Sequence, residues 1–124
     1  MQLTKAEEQL MEIIWKHEKV FMKDLIDAYP DPKPAGTTIA TLLKRMQDKG
    51  FVGYETMGNS RQYYPLVKKS AYFTKEVGGI IKNYFNDSAL QFASFFTSSS
   101  NISPTELEDL KAIIDKEIER RKEK

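Results

Sequence analysis

The sequence predicts a mainly α chain with a small β-hairpin, divided into an N-terminal domain over residues 1–69 and a helical region over 70–124. Three observations lead to this reading. Apolar residues recur at helical spacing in successive N-terminal stretches. A β-rich run, FVGYETMGNSRQYYPLV over 51–67, follows them and is broken only at Gly58-Asn59. After Lys68-Lys69 the composition shifts to aromatic residues at helical spacing.

Thr4-Lys5-Ala6-Glu7 opens the first helix as a capping box, hydroxyl and carboxylate each satisfying an orphan backbone N–H. Leu3, Ala6, Leu10, Ile13 and Ile14 form its apolar stripe, broadened by Met11 and Trp15, and the helix runs to about Lys16. Lys19-Val-Phe-Met22 is a brief extended stretch leading into a short helix over roughly 22–29. Pro30, Pro32 and Pro34 forbid helix and make a stiff turn. Gly36 frees the chain before a third helix, for which Thr37 or Thr38 is the expected N-cap. Its core stripe is Ile39, Leu42, Leu43 and Met46, and Gly50 ends it in the left-handed conformation.

The run over 51–67 is a hairpin turning at Gly58-Asn59, which pairs Tyr54 with Tyr63 and offers Asn59, Ser60 and Arg61 at its tip. Ser70 is then read as the cap of a long helix striped by Phe73, Val77, Ile80, Ile81 and Tyr84, weakened locally by Gly78-Gly79. Leu90, Phe92, Phe95 and Phe96 extend the apolar surface up to the polar break TSSSN. Ser103-Pro104-Thr105-Glu106 is a second capping box, opening a helix with Leu107, Leu110, Ile114 and Ile118 at core spacing. The expected order is helix, short strand, helix, helix, hairpin and two further helices. Three helices followed by a hairpin make a winged helix-turn-helix.

Composition bounds the chemistry. Lys plus Arg is 19 against 18 Asp plus Glu, a formal charge of +1, so any nucleic-acid binding must come from where the cations sit and not from their sum. The absence of cysteine removes thiol catalysis, disulfides and cysteine-based zinc or copper sites. His17, the one histidine, has no partners at ligand or triad spacing and reads as a charge at a helix C-terminus. The carboxylates are scattered over helix surfaces, so neither catalysis, nor a metal, nor a cofactor is expected. MQLTKAEEQL lacks an apolar core of signal-peptide length, and no stretch approaches the roughly 20 apolar residues of a membrane span. A soluble cytoplasmic protein is the expectation.

The outer face of the third helix carries the functional signal. On a helical wheel Thr37, Thr41 and Lys44 point away from the core stripe, with Thr38 and Arg45 to one side. Poor helix formers are tolerable there if they read DNA. Threonine methyls can touch thymine, hydroxyls can bond base edges or phosphates, and Lys44 and Arg45 can reach guanine or phosphate. Asn59, Ser60 and Arg61 suit a wing lying along phosphates or in the minor groove. The competing reading is a winged-helix module that binds protein through this face; an apolar outer face would have favoured it. Lys68 and Lys69 read as solvated.

LTKAEEQLMEIIW (3–15), TTIATLLKRMQDKGFV (37–52), RQYYPLV (61–67) and SPTELEDLKAII (103–114) resemble the first helix, recognition helix, second wing strand and last helix of the penicillinase-repressor (BlaI/MecI) family. These are bacterial winged-helix repressors of β-lactam resistance genes and related operons. The resemblance covers nearly the whole chain. It implies a homodimer, held by the C-terminal helices, on a palindromic double-stranded DNA operator. It also implies an antirepressor such as the sensor protease that cuts an Asn-Phe bond in the best-known members; here the corresponding stretch, Leu90–Phe96, puts Phe95 before Phe96. The copper-responsive branch uses C-terminal cysteines, which this chain lacks. The residues themselves also point to a dimer. Two C-terminal helices cannot enclose Phe73, Val77, Ile80, Tyr84, Phe92, Phe96, Leu107, Leu110, Ile114 and Ile118, and a second copy related by a two-fold axis could cover them.

Overall fold

The capping box at Thr4 forms as the sequence implies: the Thr4 hydroxyl accepts from Glu7 N, and the Glu7 carboxylate accepts from Thr4 N at 2.9 Å. It opens α1 (Lys5–His17), followed by β1 (Val20–Phe21), α2 (Met22–Asp27), α3 (Gly36–Asp48), β2 (Val52–Met57), β3 (Ser60–Pro65), α4 (Lys69–Tyr84), α5 (Ala89–Ser99) and α6 (Pro104–Lys122). This computed structural model describes residues 3–123; Met1, Gln2 and Lys124, the outermost ends of the two expected regions, lie outside the described residues. The chain divides into one unit through Glu76 and a second from Val77.

In the first unit, β2 and β3 pair antiparallel around Gly58-Asn59, and β1 adds to the other edge of β3, giving the order β1-β3-β2. Gly58 has φ +63° and Asn59 does not, the pattern of a type II′ turn that matches strand twist. α3 ends in a Schellman motif: Gly50 adopts φ +82°, Phe51 N donates to Met46 O and Gly50 N to Gln47 O. Phe51 and Met46 are both buried, so the cap also carries the chain into the core. That core is built from Leu10, Met11, Ile14, Leu25, Ile39, Leu43, Met46, Val52 and Tyr63.

Four local readings change. The buried stripe of α1 is Leu3, Glu7, Leu10, Met11 and Ile14, while Ala6 is exposed and Ile13 half-buried. The helix is turned by about one position because Glu7, besides capping, is only 1% exposed and carries its own counter-charge, with Lys49 Nζ donating to Oε1 at 2.8 Å. The N-cap of α3 is Ala35, without a capping side chain, so neither Thr37 nor Thr38 is the cap. Lys69 opens α4, so Ser70 lies inside that helix and does not cap it. Three helices, not two, follow the hairpin: Asn86 and Asp87 both turn left-handed, ending α4, and Ser88 caps α5.

The start of α4 belongs to the winged unit. Tyr72 is buried, its ring centroid 5.9 Å from Trp15, 5.8 Å from Phe51 and 5.0 Å from Phe73. Its hydroxyl accepts from Leu3 N and donates to Glu8 Oε2. Trp15 Nε1 donates to Val67 O, closing the end of the sheet over α1. The compact winged unit therefore runs past residue 69 to Glu76.

The second unit, by contrast, has no buried residue between Val77 and Glu123. The Ser103 capping box forms as expected, and Phe85, Phe92, Phe95 and Phe96 cluster, with Phe92 stacked on Phe96. Glu117 accepts from both Arg120 and Arg121, and these bonds hold its carboxyl down at about 2. Among the described residues no helix is long and apolar enough to cross a membrane.

Burial alone would raise the Glu7 carboxyl, but hydrogen bonds from Lys49 and Thr4 and the lysine's charge outweigh it and hold it below the ordinary 4.5. A depressed folded value means that Glu7 stabilises the fold above the unfolded value and that this stability is lost as pH falls through the folded one. Lys49→Met should cost about 3 kcal/mol at pH 7, the low end for breaking a buried pair. The Lys49 side chain is 28% exposed, which keeps the loss at that end. The gap between variant and parent should narrow as pH drops below 4.5, where a neutral carboxyl needs no partner. Denaturant melts at the two pH values measure both effects; a pH-independent gap would show that the lysine acts by packing alone.

Candidate nucleic-acid interface

The core stripe of α3 turns Ile39, Leu42, Leu43 and Met46 inward and leaves Thr37, Thr38, Thr41, Lys44 and Arg45 exposed. Because Ala35 caps the helix without a side chain, the hydroxyls of Thr37 and Thr38 are not consumed by capping. Thr41 differs: its hydroxyl donates to Thr37 O at 3.0 Å, the back-bond common for threonine inside a helix. Its methyl and the oxygen lone pairs are what it has left to offer a ligand. Lys44 pairs with Asp48 at 3.3 Å, both side chains mostly in solvent. Such a pair is worth a few tenths of a kcal/mol and yields easily to a phosphate.

On the hairpin, Val52, Tyr54 and Thr56 share a face with their partners Pro65, Tyr63 and Arg61. At the base this face is core, with Val52 and Tyr63 buried; towards the tip it emerges, and Tyr54 is 38% exposed. Arg61 lies with its guanidinium 4.2 Å from the Tyr54 ring centroid, and among the described residues no carboxylate pairs with it. Asn59, Ser60 and Arg61 are all exposed at the tip. An open groove of about 730 Å³ joins that tip to the start of α2, lined by Phe21, Met22, Lys23, Asn59, Ser60 and Arg61. Lys23 thus faces the same groove as Arg61, and sequence reasoning passed over it because a lone lysine in a short helix makes no pattern. Among the described residues no hydrogen bond or ion pair joins the row on α3 to the wing tip. Lys69 pairs with Glu12 at 3.0 Å.

Against this geometry the sequence profile described as "Penicillinase repressor" matches residues 3–116. The chain belongs to the penicillinase repressor family. It is 24% identical over 123 residues to the penicillinase repressor of Bacillus licheniformis, covering 98% of this chain and 96% of that one. It is 29% identical over 120 residues to the methicillin resistance regulatory protein MecI of Staphylococcus aureus (strain N315), covering 93% and 94%. Among solved structures it is similar to the DNA-binding domain of the repressor BlaI, with TM-score 0.51 and 29% identity over 57% of this chain and 88% of that one. It is also similar to monomeric Bacillus licheniformis BlaI in complex with the blaP half-operator, with TM-score 0.50 and 29% identity over 58% and 89%. These neighbours bear out the winged-helix fold class read from the sequence.

The second unit of this penicillinase-repressor family member presents the residues expected at a dimer contact in varied settings. Val77, Ile80, Tyr84, Phe96, Leu107, Ile114 and Ile118 are all exposed, Tyr84 at 79%. Phe92 and Leu110 are half-buried. Phe73 stands apart from these: it lies in the winged unit, its ring 6.0 Å from Trp15. Phe95-Phe96 falls inside α5, both residues exposed.

Proposed function

We propose that this chain is a sequence-specific DNA-binding transcriptional repressor, acting as a homodimer on a palindromic operator. The observation that carries the DNA half of this reading is the outer face of α3. Thr37, Thr38, Thr41, Lys44 and Arg45 are exposed there, and no large exposed hydrophobic residue falls on that helix. A protein-binding face would need such residues at its centre, and a major-groove face needs hydroxyls and cations. Thr37, Thr38 and Thr41 read base edges and thymine methyls, while Lys44, Arg45 and the wing residues Asn59, Ser60 and Arg61 hold phosphates. Lys23 joins them from the groove it shares with Arg61. The penicillinase repressor and MecI relatives support repression as the regulatory sense. A bacterial operator puts such a protein in the cytoplasm, and an antirepressor, a sensor protease or another, would relieve it.

The dimer half rests on the second unit. No residue from Val77 to Glu123 is buried, although Ile80, Leu90, Phe95, Ile113 and Ile114 are each at least 45% exposed. Apolar surface on that scale marks an association site. A two-fold partner covers it and sets two recognition helices on successive half-sites about one helical turn apart.

Three outcomes test the proposal. Arg61→Ala should weaken binding to all duplexes alike and flatten the log-affinity against log-salt slope by about 1; an unchanged slope removes the wing from the interface. Thr41→Val keeps the methyl but loses the hydroxyl, so it should hold affinity for the cognate site, whereas Thr41→Ala should lose about 1–3 kcal/mol there and little on random DNA. Equal losses on both kinds of DNA would make Thr41 a positioning residue. In sedimentation, the full chain at micromolar concentration should be a dimer and a chain ending at Glu76 a monomer. The cut belongs after Glu76 because a chain ending at Lys69 would lack Tyr72, part of the core. A dimeric truncation, or a monomeric full chain, would contradict the assembly.

A further inference from the structure

Arg61 is held differently from the paired lysines of the winged unit. Lys33, Lys44, Lys49 and Lys69 each meet a carboxylate, that of Asp31, Asp48, Glu7 and Glu12 in turn. Arg61 instead meets the Tyr54 ring in a cation–π contact. The hairpin register accounts for this. Thr56 is the direct partner of Arg61, and Tyr54 is that of Tyr63, so Arg61 and Tyr54 are diagonal neighbours on one face. Glu55, the one carboxylate of β2, pairs with Gln62 and falls on the opposite face. Tyr54 is anchored in its turn, its ring centroid 6.0 Å from that of the buried Tyr63. β1 pairs with Tyr63 and Gln62, so Arg61 stands where β3 leaves the three-stranded sheet for the wing. Tyr63, Tyr54 and Arg61 thus form a ladder from the core to the wing.

We infer that Tyr54 is the positioning residue for Arg61, holding the wing cation, still charged, ready to meet a DNA phosphate. This inference rests on the DNA-binding reading above and deepens it. A free arginine gives up side-chain freedom when it binds, and one already held gives up less. A carboxylate could hold the guanidinium as well, but it would cancel the charge that the phosphate is to meet. An aromatic ring attracts the cation through its quadrupole and leaves the charge in place. Removing a condensed counterion from DNA requires that charge, so a ring is the better holder for a phosphate-binding arginine. Tyr54 is 38% exposed, so its ring can be altered without opening the core.

Two measurements on the full-length chain test this. In arginine-labelled protein without DNA, the ring current of Tyr54 should shift the Arg61 side-chain resonances, in the parent and in Tyr54→Phe but not in Tyr54→Leu. Unshifted Arg61 resonances in the parent would overturn the contact, whatever the variants do. Binding is then titrated against salt on a mixed-sequence DNA duplex. Tyr54→Leu should bind about threefold more weakly at every salt concentration with the salt slope unchanged, since the arginine keeps its charge. Tyr54→Phe, which keeps the ring, should bind as the parent does, and Tyr54→Leu should cost nothing further in an Arg61→Ala background. Equal losses from Tyr54→Leu in both backgrounds would make its role structural, and an equal loss from Tyr54→Phe would make its hydroxyl a DNA contact; either overturns positioning. The parent's own affinity tests the underlying reading. A parent that binds no duplex overturns both, whereas a parent that binds DNA no better than Tyr54→Leu overturns the positioning role alone.

Discussion

A single buried carboxylate sets the frame of the winged unit. Glu7 stands in the first turn of α1 and Lys49 is the C-cap residue of α3, so their contact joins the positive end of one helix dipole to the negative end of the other. Each charge is favoured at its own terminus before they meet. The Glu7 carboxylate also receives the Thr4 amide, so the capping box and the ion pair use one oxygen. The bond therefore pins the C-terminal end of α3 to the start of α1, while Ile39, Leu42, Leu43 and Met46 turn the opposite face, with Thr37, Thr41 and Lys44, to solvent. Removing one partner leaves the other uncompensated in a dry setting, the costly way to break such a pair.

The two units are built on opposite terms. The winged unit closes a core of aliphatic side chains and seals it with Tyr72 and Trp15, whose polar atoms reach Leu3, Glu8 and Val67. The second unit buries nothing fully and instead shows an aromatic cluster and a row of isoleucines to solvent. Its helices are locally well specified, by Ser88 and Ser103 at their starts and by arginines around Glu117 near the end. Local signals of that kind make helices, but not a core. The difference is the physical basis for assigning recognition to one unit and association to the other.

Much of this was legible in the sequence because its signals are local. The capping boxes at Thr4 and Ser103, the hairpin turn at Gly58, the Tyr54–Tyr63 pair and the left-handed Gly50 all stand where short motifs put them. What failed was decided by longer-range contacts or by weak local preferences. Glu7 reads as a cap partner alone until Lys49, 42 residues away, is seen beside it, and the α1 stripe turns accordingly. Threonine is a favoured cap, yet Ala35 precedes α3 and leaves Thr37 and Thr38 in the helix, since an extended residue at that point is enough to start it. The break before α5 rests on left-handed Asn86 and Asp87, and no glycine or proline marks it. The groove that gathers Lys23 with Arg61 is a property of the assembled sheet and has no linear trace.

In the proposed complex, exposed hydroxyls and cations on α3, doubled by a two-fold axis, read DNA. Selection of duplexes from a random pool by the full-length protein, followed by sequencing, tests it most directly. The expected result is enrichment of an inverted repeat whose half-site centres lie about one helical turn, or a multiple of it, apart. Selection that enriches no sequence over the starting pool, or only a single asymmetric site, would contradict it.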